Sequence, residues 1–300
     1  MALISGRHCA FAQETEAGFE GRVSQLIQTG QWQGAAAAAR TGLRQFPRSA
    51  VLEQLLGAAL FKAGLNSEAR QAFQHAVELD PNAPQGYFDL ALVALSEKQD
   101  GEAAKDLQRT IALDPRNAQA HLLLGRALHN LNETAPAIRQ FQEALAIAPR
   151  LPLAHYHLGF AYQSQGKLDA ALDEYRKEIA LNPGFYRAYW LAGNVELKQG
   201  NLKAAGGWFE LGERLQPNGY EVHYGLGRVF LEEQQYALAL PEIQRAVDLK
   251  PESAEAHYAL ARAYQGLGRK SDADREFAIC SKLNAQHQKM ASGIAGNVAQ

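Results

Sequence analysis

Several things are scarce in this sequence, and each scarcity excludes a class of protein. Only two cysteines occur in 300 residues, Cys9 and Cys280, and no Cys-x-x-Cys pair is present. That excludes a disulfide framework and a thiolate zinc site. Cys280 lies in an apolar-periodic run and reads as a small packing residue. No run approaches the roughly 18 uninterrupted apolar residues of a membrane helix, so no membrane span is predicted. Neither sign of charge dominates: Lys plus Arg number 30 and Asp plus Glu 32, for a net charge of −2. Sequence-independent binding to nucleic acid needs a basic surface, so no nucleic-acid partner is expected. No Gly-rich phosphate loop, nucleophile elbow or Ser/His/Asp arrangement appears, so neither catalysis nor a cofactor is expected.

The N-terminus reads two ways. Ala10-Phe11-Ala12 has the small-residue pattern of a signal-peptidase site. The apolar stretch before it, however, is only Ala2 to Ile4, and Arg7 and His8 follow. Residues 1–15 are therefore either a disordered start, which favours the cytoplasm, or the remnant of a signal peptide, which implies the periplasm or secretion.

What the sequence does have is a ruler. Pro47, Pro81, Pro115, Pro149, Pro183, Pro217 and Pro251 stand 34 residues apart without a slip. Twelve residues before each, and once more at Ala273, is an alanine, from Ala35 to Ala239. Four residues after that alanine come Phe73, Leu107, Phe141, Tyr175, Phe209, Ile243 and Phe277. A small-residue column reads Gly57, Ala91, Gly125, Gly159, Gly193, Gly227 and Ala261. Between prolines the apolar residues recur at helical spacing, as in Ala69, Ala72, Phe73, Ala76 and Leu79. Breaks near each midpoint fall at Gly64, Asp100-Gly101, Gly166, Gly200 and Gly268.

Each unit is thus two amphipathic helices joined by a short turn, and the proline ends the second. Small residues mark where the helices approach closely, and the Phe/Tyr/Leu column fills the space beside them. Asn82, Asn117 and Ser253 stand where a helix cap is wanted. Pro84 and Pro152 fall at first helical positions, where a missing N–H costs little.

This pattern resembles the tetratricopeptide repeat (TPR) family, whose marks are a 34-residue period, early Leu-Gly, a Gly turn, Ala then aromatic, and a closing Pro. Residues 154–183 carry them all; residues 256–284 lack only the Gly and the Pro. The resemblance covers eight units: 16–49, 50–83, 84–117, 118–151, 152–185, 186–219, 220–253 and 254–287. The first keeps little beyond Trp32, Ala35 and Pro47. The fold it implies is all-α, a right-handed superhelical solenoid of antiparallel helix pairs with first helices on the concave face. The final unit, with Ala285 for proline, predicts a last helix that runs past 285. Residues 288–300 then form a capping extension, with Met290 covering the exposed end, and a flexible tail.

In family members the fifth and ninth positions of the first helix are among those that face the groove. Here they place Phe88 and Leu92, Leu122 and Arg126, Tyr156 and Phe160, Trp190 and Asn194, Tyr224 and Arg228, and Tyr258 and Arg262 along it. Aromatic residues with Arg are the composition of binding hot spots. The alternative is that these aromatics pack between repeats. Family members that bind chaperone tails use Lys at the fifth position and Asn at the ninth. No such pair occurs, so chaperone C-terminal tails are not expected partners.

A polar seam crosses units five and six. Glu178 occupies a small-residue column and Glu196 an aromatic one, and Gly206-Gly207 interrupts the following helix with poor helix formers. The seam reads as a ligand hot spot or hinge, or as carboxylates that bend to the rim and pair with Arg187, Lys198 or Arg214. The histidine column (His121, His155, His223, His257) is not expected to hold a metal. Equivalent helices stand about 8–10 Å apart, too far for shared ligation. These histidines read as packing groups.

The function implied is a non-enzymatic protein–protein interaction scaffold that binds an extended peptide or partner helix in the concave groove. The alternatives are a structural or self-associating arm of a larger complex, or an accessory module serving a separate enzyme.

Overall fold

The structure is a computed structural model in which residues 14–297 are described, with side chains through Lys289. Repeat one is α1 (Glu16–Gln28) and α2 (Trp32–Gln45), repeat two α3 (Ala50–Lys62) and α4 (Asn66–Leu79). Repeat three is α5 (Pro84–Ser96) and α6 (Asp100–Leu113), repeat four α7 (Ala118–Asn130) and α8 (Thr134–Ile147). Repeat five is α9 (Ala154–Ser164) and α10 (Leu168–Leu181), repeat six α11 (Tyr186–Lys198) and α12 (Leu202–Leu215). Repeat seven is α13 (Tyr220–Glu232) and α14 (Tyr236–Leu249), repeat eight α15 (Ala254–Gly266) and α16 (Lys270–Asn297). No strand occurs among the described residues. Cys9 and Ala10-Phe11-Ala12 lie outside them.

The chain divides into two compact bodies, one ending at Pro149 and one beginning at Arg150. Within each, every helix packs on the next. First helices also touch those of adjoining repeats, α1 with α3 and α3 with α5 in one body, α11 with α13 and α13 with α15 in the other. Second helices make no contact of that extent, so in these stretches the first helices lie on the inner side of the stack.

The small-residue column sets how closely the helices pack. A Cβ on Gly57 would stand 2.6 Å from Phe73, one on Gly125 2.5 Å from Phe141, and one on Gly193 2.6 Å from Phe209. Phe209 is fully buried and also meets Gly225 of the next repeat, where a Cβ would again stand 2.6 Å away. The eight alanines of the alanine column are at most 3% exposed. Leu79 departs from its expected stripe: it is 36% exposed at the end of α4.

The turn inside each repeat uses one left-handed residue. Gly30, Gly64, Gly166, Gly200 and Gly268 have φ of +72° to +79°. Lys98, Asn132 and Gln234 hold the same place at +58° to +64°, in a region that costs a residue with a Cβ about 1–2 kcal/mol. Repeat three thus corrects the expected break at Asp100-Gly101, since both residues lie inside α6. Packing holds the frame, and Lys98 accepts the strain.

The helix starts are partly as expected. Ser49, Asn117 and Ser253 accept the backbone N–H of Leu52, Ala120 and Ala256 at 3.2, 2.9 and 3.2 Å. Asn82 does not cap α5: Ala83 holds that place, ahead of Pro84 at the first helical position. Pro152 does not open α9 either. Leu153 takes a left-handed φ of 65°, which no helical residue can adopt, so α9 starts at Ala154. At the other end α16 does run past 285, to Asn297. Residues 284–289 are exposed, and the Met290 side chain lies outside those described.

A polar clamp joins repeats at the fourth position of five units. Tyr87 and Tyr189 donate their hydroxyls to the carbonyls of Pro81 and Pro183, at 3.4 and 3.0 Å. His121, His223 and His257 direct Nε2 at Pro115, Pro217 and Pro251, at 3.2, 2.9 and 2.9 Å. Their Nδ1 atoms meet Gln140, Glu242 and Glu276 at 2.7, 2.8 and 2.6 Å. The histidines do pack, but as hydrogen-bonded struts. Asp106 holds the carboxylate place of this column in repeat three, where the fourth residue is Tyr87 and no imidazole faces it. Burial, reinforced by Glu102, raises its carboxyl to about 6.

Two predictions follow from this packing. Gly193→Ala lowers stability by about 1–3 kcal/mol through overpacking against Phe209, whereas Gly207→Ala, with nothing within 4 Å of the new methyl, raises it by up to about 1 kcal/mol. Urea unfolding compares the two. Folded Asp106 also binds its proton at a higher pH than the unfolded residue, whose ordinary value is 3.8. Its contribution to stability is complete below about pH 4 and is lost as the pH rises through about 6. Asp106→Asn removes that part of the slope in a stability–pH profile.

Candidate functional site

The two bodies differ in what the fifth and ninth positions of their first helices present. In the first body Phe88 and Leu92 are half-buried and Arg126 is exposed. Leu122 is only 4% exposed, which corrects its expected place on the groove: it packs into the core and offers no surface. Gln54, at the fifth position of repeat two, donates Nε2 to Asp89 at 3.0 Å.

The second body is richer in aromatics. Phe160 and Tyr258 are the exposed ones, at 40% and 52%. Tyr156 is half-buried and meets Phe185 edge-on at 5.1 Å. Trp190 is half-buried and packs on two core clusters, one around Leu191 and Val195, the other around Phe209 and Leu226. It therefore supports the stack. Tyr224 stacks on Tyr220 with ring centres 5.6 Å apart. The Arg228 guanidinium lies 5.7 Å from the centre of the Tyr224 ring and donates to Asn194 Oδ1 at 3.4 Å. Asn194 in turn donates to the Trp190 carbonyl at 3.0 Å. Arg262 is ion-paired with Glu232 at 3.2 Å.

Between Tyr224 and Tyr258 opens a pocket of about 250 Å³, lined further by Ala254, Glu255, Cys280 and Asn284. Burial holds the phenols of Tyr220 and Tyr224 above their usual range, Tyr220 at about 12, so both keep their protons at neutral pH.

The seam differs from its expected form. Glu196 is 5% exposed and does not reach Arg187, Lys198 or Arg214. Its Oε1 accepts from Arg176 at 3.3 Å and its Oε2 from Asn201 at 2.9 Å. Glu178 is 1% exposed, and neither carboxylate oxygen has a hydrogen-bond partner among the described residues. Gly206 and Gly207 do not break α12, which runs from Leu202 to Leu215 without interruption. A third carboxylate, Glu174, was not singled out from the sequence. Burial raises its carboxyl, but hydrogen bonds from His155 Nδ1 at 2.6 Å and Lys177 Nζ at 2.7 Å outweigh this and hold it below its ordinary value. The spacing of 19 residues between each histidine of the column and its partner was the available signal.

The matches to known families agree with this geometry. A family model described as "Tetratricopeptide repeat" matches residues 22–84, 54–107 and 156–220, and one described as "TPR repeat" matches 125–166 and 227–268. The chain belongs to the tetratricopeptide repeat family. TPR arrays are in general scaffolds for protein–protein interaction and not catalysts. No curated protein matches the sequence. Among solved structures, MamA is 28% identical, with a TM-score of 0.53 over 54% of this chain and 95% of that one. The Cut9–Hcn1 hetero-tetramer of APC/C is 19% identical, with a TM-score of 0.63 over 82% of this chain. This chain covers 48% of that longer one. YrrB, titled "a TPR protein with an unusual peptide-binding site", is 21% identical, with a TM-score of 0.55 over 63% of this chain and 98% of YrrB. No helix of the described residues is long and apolar enough to cross a membrane.

Glu178→Met keeps the volume and removes the unpartnered oxygens. It raises stability by roughly 1–3 kcal/mol, read from chemical denaturation midpoints at unchanged m-value.

Proposed function

We propose that this TPR protein is a non-catalytic scaffold that holds an extended peptide on the inner face of α11, α13 and α15. The reading rests on one observation: the pocket between Tyr224 and Tyr258 opens beside the exposed ring of Tyr258 and one helical turn from Arg228. An apolar anchor of the peptide enters the pocket, where burial against aromatic surface supplies most of the energy. Glu255 at the pocket wall disfavours an acidic anchor there. An acidic residue of the peptide pairs instead with Arg228, which Asn194 and Tyr224 hold in place. Phe160 extends the aromatic surface at the start of the second body. YrrB, a fold relative, is itself described as having a peptide-binding site. The chain itself carries out no reaction in this reading; the groove residues are a recognition surface.

The test is selection from a random peptide library on the immobilised protein, followed by fluorescence anisotropy with the selected peptides. They carry an apolar anchor and an acidic residue. Tyr258→Ala and Arg228→Ala each weaken binding at least tenfold with the helical circular dichroism unchanged, and added salt weakens wild type more than Arg228→Ala. Recovery of no binder, or of binders indifferent to both substitutions, would sink the proposal.

A further inference from the structure

We propose that Glu213, His223 and Glu242 bind a divalent transition-metal ion, zinc being the ion that suits their donor set. His223 stands in the first turn of α13 and is 7% exposed. Its Nε2 faces the Pro217 carbonyl at 2.9 Å. A carbonyl only accepts, so Nε2 carries a hydrogen, and the lone pair of the neutral ring lies on Nδ1. A backbone carbonyl that fixes one imidazole nitrogen is the arrangement that orients metal-binding histidines.

Around Nδ1 stand two carboxylates. Glu242 Oε2, from α14, is at 2.8 Å and Glu213 Oε1, from α12, at 4.0 Å. The three donor atoms all lie within 4.8 Å of one another. His257 shows what the repeat itself requires. It has the same carbonyl at Nε2 but a single carboxylate, Glu276, at Nδ1. His223 has a second carboxylate in addition.

That second carboxylate has no architectural reason. The position of Glu213 reads Leu43, Val77, Ile111, Leu145, Ile179 and Val247 in six other repeats and Ser281 in the last. His155 and His257 also meet one carboxylate each, yet Leu145 and Val247 stand at this position there; only His223 has an acid at it. Zinc–ligand bonds of about 2.0–2.2 Å put tetrahedral ligand pairs roughly 3.5 Å apart. The observed 2.8 and 4.0 Å fall either side of that value, and both glutamates are partly exposed, so rotation about their side-chain bonds closes the set. One nitrogen and two carboxylate oxygens leave a fourth position to water. A buried imidazole ligand selects zinc and its neighbours over calcium and magnesium, which take oxygen sets. The ligands of this site come from one histidine and the two second helices that flank it.

The experiment is calorimetric titration of the untagged, chelator-treated full chain with zinc, with variants taken from the protein's own repeats. Glu213→Val restores the aliphatic residue of its column. His223→Tyr installs the residue whose hydroxyl reaches the proline carbonyl at Tyr189, so the clamp survives without the nitrogen. Wild type binds one zinc per chain, and each variant binds at least tenfold more weakly. His257→Tyr, the control, binds as wild type does. Cobalt in place of zinc gives the visible spectrum of a tetrahedral site, lost in Glu213→Val. Absence of zinc binding by wild type, or equal affinity in Glu213→Val and wild type, overturns the assignment. Should His223→Tyr not fold, Glu213→Val alone decides.

Discussion

In repeats two, four, five, six and seven the helix pair is held by a large side chain entering the space where a glycine has none. Phe209 shows how much depends on that contact. Its ring closes α11 onto α12 through Gly193 and, on its other side, seats α13 through Gly225. One side chain sets both the spacing inside a repeat and the step to the next. With the step fixed, the 34-residue frame becomes a spatial frame, and equivalent residues of neighbouring repeats come onto the same face. The inner surface exists because the core contact admits no slack.

This explains why the architecture was legible in the sequence. A contact that tolerates only Gly or Ala opposite a large residue leaves a column that can be read by eye. The alanines, the aromatics and the prolines carry the helix pairs and their order with no further information. Where expectation failed, the frame had overruled a local signal. Asp100-Gly101 looks like a turn, yet Lys98 takes the left-handed place because packing fixes it there. Leu122 sits at a groove position by count but is drawn into the core. Pro152 is placed to open a helix, and the left-handed Leu153 after it delays the start to Ala154.

The polar contacts were less legible, for a physical reason. A hydrogen bond depends on where a side chain's tip lies, and a column shows only where its Cα lies. His121, His223 and His257 read as bulky packing residues, whereas Tyr87 and Tyr189 in the same column make the same bond to a proline carbonyl with a hydroxyl. The shared property is the reach of a polar tip. The 19-residue partner column was visible but needed a geometry to give it meaning. Glu196 shows the same limit: its cationic partner, Arg176, comes from α10, whereas those expected from sequence belong to α11 and α12.

A repeat protein supplies its own control, since each position is repeated up to eight times under the same packing. A residue that matches its column is explained by the fold; a residue that departs from it requires another reason or carries a cost. Glu178 and Glu213 are the same residue type, and both replace small or aliphatic residues on second helices, one repeat apart. Glu178 is enclosed, with no partner for either oxygen, and such a group can only subtract from stability. Glu213 is partly exposed beside an imidazole and a second carboxylate, so its charge remains solvated and gains ligands to share. The fold treats one as a burden and leaves the other available for binding. The difference lies in burial: Glu178 is 1% exposed, whereas the Glu213 side chain is 38% exposed.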